Sequence, residues 1–259
     1  MRTALVRSPS PRLQEGLVTH IDRQLVDLDT AAKQWRGYVD VMRNDGWTIV
    51  DVAPADDCPD GVFIEDAVVM FGDLAVLCRP GAKSRRPEVT GARAAVVALG
   101  FSPVEITAPG TLDGGDVLKV GSVAYVGLGG RTNAQGIAQL EQLLTPRGWQ
   151  VIAVPTSKVL HLKSAVTALP DGRIIGYAPM VDDPDVFGEF VAMPEEPGAH
   201  IVLLGDGDDG RLLLSADAPR SAELLSAMGF EPVPVDIGEF EKLEGCVTCL
   251  SVRVRHSPT

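Results

Sequence analysis

Positive charge is in short supply: 23 lysines and arginines face 35 aspartates and glutamates, a net charge of −12 over 259 residues. That balance repels phosphate backbones and anionic lipid surfaces, so nucleic-acid and membrane-surface roles are disfavoured. Long hydrophobic runs are missing too. No apolar stretch approaches the roughly 18 residues of a membrane span, and the densest, 67–78, is broken by Gly72-Asp73. The start, Met1-Arg2-Thr3-Ala4-Leu5-Val6-Arg7-Ser8-Pro9, has no apolar core of a secretory signal, so a cytoplasmic protein is expected. Cysteine is scarce as well: Cys58, Cys78, Cys246 and Cys249. In a chain without a secretion signal they are expected as reduced thiols rather than two bridges. Cys246 and Cys249 form the one close pair, with no second CxxC and no HxxxH to complete a zinc site. The Gly-rich run Val126-Gly127-Leu128-Gly129-Gly130 lacks the phosphate-loop lysine and the dinucleotide spacing, which excludes a nucleotide site there.

What is present is an ordinary globular composition, 45% apolar and 22% charged, and a repeat. Two short apolar runs joined by a tight turn are followed by a helix and one more strand. The clearest copy reads Val117-Leu118-Lys119-Val120, turn Gly121-Ser122, Val123-Ala124-Tyr125-Val126, then a helix near 133–144 and a strand near 149–154. Others start at 67, 164 and 201, with turns at Gly72-Asp73, Pro170-Asp171-Gly172 and 205–210. Gly-Asp, Gly-Ser and Asp-Gly pairs between β-rich runs are hairpin signals. Helical spacing relates Ala94, Val97, Ala98 and Phe101 in one copy, and Ile137, Leu140, Leu143 and Leu144 in another. Gly100, Gly148 and Gly229 stand where left-handed helix caps are expected. The segment 182–198 reads as a degenerate copy with a short helix. The aperiodic 8–29 reads either as a lid or as a surface loop with a short helix.

Spacing shows how the copies close. Glu65, Asp113 and His161 each precede a hairpin and lie 48 residues apart; Ile201 follows 40 later, and Cys249 another 48. Only one strand remains after Cys249, and the rest of that copy lies at the N-terminus: a strand at 3–7, a helix near 30–44 and a strand at 47–52. The expected fold is therefore a five-bladed, pseudo-symmetric α/β propeller of ββαβ units, one catalytic domain over 1–259, with the last blade built from both termini. A closed ring has no free sheet edges and brings equivalent hairpin starts to one axis. Those starts hold Glu65-Asp66, Asp113, His161 and Cys249. Taken singly, each suits a bland role: a buried thiol, a satisfied histidine, a turn aspartate, a cap. One repeat position holding all of them points instead to a thiolate nucleophile, a proton carrier and orienting carboxylates around a shared centre. Arg85 and Arg131 follow the second strands of neighbouring copies, where a pair of guanidinium forks could take a carboxylate.

Six strings in one order carry a resemblance over about 1–255: 59–66 (PDGVFIED), 79–89 (RPGAKSRRPEV), 112–117 (LDGGDV), 131–133 (RTN), 160–164 (LHLKS) and 245–251 (GCVTCLS). Together they resemble the dimethylarginine dimethylaminohydrolase family of the guanidine-modifying superfamily, whose fold is a five-bladed α/β propeller. The resemblance implies hydrolysis of asymmetric dimethylarginine or monomethylarginine to citrulline and an amine, through a covalent cysteine thiouronium. It implies Cys249 as nucleophile, His161 as general acid and base, and Asp113 as the carboxylate paired with the histidine. It implies Asp66, with Glu65 beside it, on the guanidinium. Asp60 and the backbone around Leu243 and Glu244 would take the substrate α-amino end, and Arg85 and Arg131 its α-carboxylate. Leu17 falls in the family's lid. No metal, no cofactor, no nucleic-acid partner and no membrane are implied; the partner is a small cationic amino acid, and a homodimer is left open. Gly129 departs from the family pattern, which often has serine there, and Cys246 matches no family role.

The residues suit that chemistry. A guanidinium is a poor electrophile because its charge is delocalised, and carboxylates bind it by charge-assisted bonds. Nearby acids raise the Cys249 pKa, so a neutral thiol is expected before the cationic substrate and protonated His161 favour the thiolate. Alternatives are a deiminase of arginine or another guanidine on the same fold, a non-catalytic amino-acid-binding propeller, and a redox protein using Cys246 and Cys249.

Overall fold

The computed structural model describes residues 2–205 and 210–256. The chain opens with β1 (Thr3–Val6), α1 (Leu28–Asn44) and β2 (Thr48–Asp51). Asp27 caps α1 by accepting from the Thr30 amide. The next unit is β3 (Val68–Phe71), β4 (Leu74–Leu77), α2 (Val89–Ala98) and β5 (Val104–Glu105). The third is β6 (Val117–Val120), β7 (Val123–Leu128), α3 (Ala134–Leu144) and β8 (Gln150–Pro155). The fourth, β9 (Val166–Ala168), β10 (Ile174–Gly176) and β11 (Phe190–Ala192), carries 3-10 turns at Ala178–Met180 and Pro184–Val186 in place of an α-helix. The fifth is β12 (Val202–Leu203), β13 (Arg211–Ser215), α4 (Pro219–Ala227) and β14 (Glu231–Val235); α5 (Gly238–Glu241) and β15 (Val252–Val254) follow. The turn expected at 205–210 lies mostly outside the described residues.

These strands make five three-stranded sheets, each an antiparallel pair plus a parallel third strand. The fold is the five-bladed α/β propeller expected from the repeat. β15 pairs antiparallel with β1, Thr3 opposite Val254, and β1 pairs parallel with β2, so both termini build one blade. The Tyr38 hydroxyl on α1 lies 2.7 Å from Ser251 Oγ, and Trp47 Nε1 donates to Leu204 O at 2.7 Å, tying this blade to its neighbour.

Alternate residues of each inner strand pack against opposite neighbours. Val68 and Met70 of β3 join the core shared with Leu5, Val52 and Val252, whereas Val69 and Phe71 join the core shared with Val117 and Leu140. With both faces buried, such strands read as continuous apolar runs. Each side chain so buried contributes about 1.5–3 kcal/mol. α3 buries Ile137, Leu140 and Leu144, as its spacing predicts. α2 does not follow its predicted face: it buries Ala92 and Val96, and Val97 is 53% exposed. Val89–Ala98 is apolar almost all round, so periodicity alone could not choose a face. Gly100, Gly148 and Gly229 do take positive φ after their helices.

Candidate active site

A short turn leads into the first strand of each blade bearing a candidate residue. Glu65 and Asp66 end the 3-10 turn Ile64–Asp66; Asp113 caps Gly114–Asp116; His161 caps Leu162–Ser164. Cys249 closes a turn in which its amide donates to Cys246 O at 3.0 Å. Bonds between blades stitch these turns together: Glu65 N to Cys249 O at 3.2 Å, Gly115 N to Asp66 Oδ1 at 2.8 Å, and Leu162 N to Asp116 Oδ1 at 2.9 Å. The approach is tight. A Cβ on Gly115 would stand 2.7 Å from His161 Nδ1 and 2.8 Å from Asp66 Oδ1, so only glycine fits.

The turns frame a narrow cavity whose wall includes Cys249, His161 and Asp66. His161 is held between two carboxylates. Its Nε2 lies 3.0 Å from Asp113 Oδ2, and its Nδ1 lies 3.9 Å from Asp66 Oδ1. Burial alone would lower the histidine pKa, but Asp66, the Asp113 hydrogen bond and Asp116 prevail and raise it to about 9. Burial also opposes ionisation of Asp66. The charges of His161 and Arg85, and the bonds from Arg85 and Gly115, override it and hold this carboxyl well below the usual range. Cys249 is pushed up, first by its contact with Cys246, then by burial and by the charges of Cys246, Glu65 and Asp66. A neutral Cys249 thiol before any ligand binds, expected from the acidic surroundings, is the state these groups favour. Donor atoms of Asp66, Asp113 and His161 lie within 4.8 Å of one another. They are committed to each other and to Arg85, Gly115 and Gly81, the arrangement of a cationic imidazole between two anions.

The rest of the wall is equally specific. Asp60 is buried, which raises its pKa despite Arg85 and the Leu17 amide that donates to it at 3.0 Å. Leu17, Leu243 and Glu244 all border the cavity. Glu244, at φ +60°, accepts from the amides of Thr19 and His20. The segment 8–29 is thus a strap pinned over the pocket, with a 3-10 turn at Leu13–Glu15. Arg131 offers a buried Nη1 without a hydrogen-bond partner, 4.0 Å from Asp113.

This site has known counterparts. No family model matches the chain. It is 60% identical over 254 residues to the dimethylarginine dimethylaminohydrolase of Streptomyces coelicolor, covering 98% of this chain and 97% of that protein. It is 32% identical over 255 residues to the Pseudomonas aeruginosa protein of the same name, covering 96% and 98%. The chain belongs to the dimethylarginine dimethylaminohydrolase family. Two solved structures agree at TM-score 0.88. One is a histidine-to-glycine dimethylarginine dimethylaminohydrolase as its adduct with S-methyl-L-thiocitrulline, 29% identical and covering 98% of this chain and all of that one. The other is a cysteine-to-serine variant of the Pseudomonas aeruginosa enzyme with citrulline, 30% identical and covering 97% and 98%.

Two residues of this family member have protein partners at the positions where the resemblance implied substrate contacts. Glu65 is not part of the cavity wall; its Oε1 takes Lys163 Nζ at 2.6 Å and Arg253 Nη2 at 2.8 Å, on the opposite mouth of the hub. Adjacent residues in a 3-10 turn stand about 120° apart, and Glu65 and Asp66 face different partners. Arg85 does border the cavity, but its fork is occupied: Nε and Nη2 bind Glu88 at 3.0 and 2.8 Å, and Nη1 binds Asp66 at 2.6 Å. Arg85 thus serves as the counter-ion of Asp66, which leaves Arg131 the cation with a donor to spare. Asp113, 0% exposed, backs His161 and lies behind the cavity wall.

Two residues escaped the sequence reading: Glu88 and Asp116. Asp116, the second aspartate of Asp-Gly-Gly-Asp, accepts from Thr132 Oγ1 at 2.6 Å as well as from Leu162 N, so it fixes the backbone beside His161. Gly129, where the family often has serine, has no room for a side chain: a Cβ there would stand 2.4 Å from Thr156 O.

Proposed function

We propose that this chain hydrolyses Nω-methylated arginine, asymmetric dimethylarginine or monomethylarginine, to citrulline and dimethylamine or methylamine, with Cys249 as nucleophile. The observation that carries the reading is one cavity lined by a thiol, an imidazole paired with a carboxylate and a second, buried carboxylate. Asp66 has lone pairs beyond those taken by Arg85 and Gly115, and these accept the guanidinium nitrogens. That contact localises positive charge at the central carbon. Substrate charge and cationic His161 stabilise the Cys249 thiolate, whose proton is released to solvent as the substrate binds; the thiolate then attacks that carbon to form a tetrahedral adduct. His161, cationic at neutral pH, protonates the departing amine as the C–N bond breaks, leaving a thiouronium on Cys249. The neutral imidazole, held by Asp113, then takes a proton from water. The hydroxide adds to the same carbon, and the C–S bond breaks to release citrulline. Arg131 takes the α-carboxylate, and Asp60 with the Leu17, Leu243 and Glu244 wall takes the α-amino group. Phe63 and Leu160 supply apolar surface beside the reacting end.

The reading extends to a cytoplasmic setting, in keeping with four free cysteines; no helix among the described residues is long and apolar enough to cross a membrane. The test is citrulline release from asymmetric dimethylarginine, monomethylarginine, arginine and agmatine, by the wild type and by Cys249→Ser. Turnover of the methylated substrates above arginine, lost in Cys249→Ser, is expected. Faster turnover of arginine would make the enzyme a deiminase, and retained turnover in Cys249→Ser would remove the nucleophile.

A further inference from the structure

Cys246 stands outside the mechanism above, yet it touches the reacting atom. Its Sγ lies 3.3 Å from Cys249 Sγ and 3.2 Å from Thr248 Oγ1, and all of this is buried. Both cysteines are free thiols. The backbone holds them in this relation: Cys249 N donates to Cys246 O at 3.0 Å, closing a turn across Val247 and Thr248. Such a turn brings its end Cα atoms within about 7 Å, the range a disulfide spans with an S–S bond of about 2.0 Å. Closing the pair therefore requires side-chain rotation and no rearrangement of the blade. Cys249 borders the cavity; Cys246, 3% exposed, is not part of its wall. An oxidant entering the pocket meets Cys249 first, with a second sulfur already in contact behind it.

We propose that Cys246 and Cys249 form a hydroperoxide-reactive dithiol site, in which oxidation of Cys249 is resolved by Cys246 into an intramolecular disulfide. Cys249 gives up its thiol proton and its Sγ attacks a peroxide oxygen; the S–O bond forms and the O–O bond breaks. The leaving oxygen picks up a proton, departing as water or an alcohol, and Cys249 becomes a sulfenic acid. Cys246 Sγ then attacks Cys249 Sγ, the S–S bond forms, and hydroxide leaves as water with a second proton. Two thiols and one hydroperoxide thus give one disulfide, one water and one water or alcohol, the two electrons passing from the sulfurs to the O–O bond. The electrostatics suit the resolving step. The contact with Cys249, then His200 and the Thr248 hydroxyl, lower the Cys246 pKa against burial, which favours the thiolate that resolves. Disulfide formation removes the nucleophile before it reaches the sulfinic state, which dithiols do not reverse. The loss of turnover rests on the reading of Cys249 as nucleophile; the disulfide does not.

The test treats the whole enzyme with hydrogen peroxide, alkylates free thiols, and follows both the tryptic peptide 243–253, which carries both sulfurs, and citrulline release. Expected is a peptide lighter by two hydrogens and closed to alkylation, with turnover lost and then regained in dithiothreitol. In Cys246→Ser, each rate being referred to its own untreated value, Cys249 should accumulate as sulfenic acid trapped by dimedone, then as sulfinic acid, with turnover not regained. A wild-type peptide that stays fully alkylatable, or whose Cys249 passes to sulfinic acid beside a free Cys246, overturns the proposal. A disulfide that forms while citrulline release continues overturns instead the assignment of Cys249 as nucleophile.

Discussion

Asp113→Asn isolates the group that sets the charge of His161. The imidazole pKa stands at about 9 against an ordinary 6.5. That difference corresponds to about 3 kcal/mol in favour of the cation. Burial opposes the rise, and three carboxylates produce it: Asp66, Asp113 and Asp116. Asp113 is the one in direct contact, at 3.0 Å. Asparagine keeps the shape, removes the charge and leaves one oxygen where Gly81 N and His161 Nε2 each had their own. The His161 pKa should fall by about 1–2 units, about 1.4–2.8 kcal/mol. The sign follows from the raised folded value. Protonated His161 stabilises the fold fully below about pH 6.5, and this contribution is lost as pH rises through about 9. In Asp113→Asn both that loss and the alkaline limb of kcat, which needs the imidazolium to protonate the amine, should move to roughly pH 7–8. Citrulline release followed from pH 6 to 10, beside an NMR titration of His161, reads the shift. An alkaline limb within a few tenths of a unit of the wild type would refute the claim that Asp113 holds the proton on His161.

Other consequences of the geometry can be checked in the same assay. Arg131→Gln removes the cation whose buried Nη1 is unpartnered, so KM for methylarginine should rise by about 10- to 100-fold, the worth of a charged hydrogen bond, with a smaller change in kcat; an unchanged KM would place the α-carboxylate elsewhere. Glu88→Gln breaks a buried pair on Arg85 and should cost about 3 kcal/mol in urea denaturation, and a loss within 0.5 kcal/mol, about that of an ordinary surface change, would show that Asp66 alone satisfies Arg85. Gly115→Ala forces a methyl to within 2.8 Å of both His161 and Asp66; kcat should drop at least about 100-fold, as a displacement of about 1 Å at the reacting groups can cause, and wild-type turnover would mean the hub has slack.

The repeat was legible in the sequence because its signals are local. Tight turns need particular residues, strands buried on both faces need unbroken apolar runs, and hairpin starts 48 residues apart report the blade period directly. From that period the ring, its closure by both termini and the convergence of Asp66, Asp113, His161 and Cys249 all follow. The face of α2 did not follow, because a helix apolar on every side packs wherever its neighbours leave room. Nor did the partners of charged groups. Glu65 and Asp66 are neighbours in the chain, yet they serve opposite mouths of the hub, and Arg85 is taken up by Glu88 before a ligand can reach it. The pairing of Cys246 with Cys249 was legible in their spacing; that their sulfurs touch, at 3.3 Å, was not. Spacing along a chain determines which residues reach a common place. Which atoms then bond there is a competition among all the charges and donors that arrive, and only the folded packing decides it.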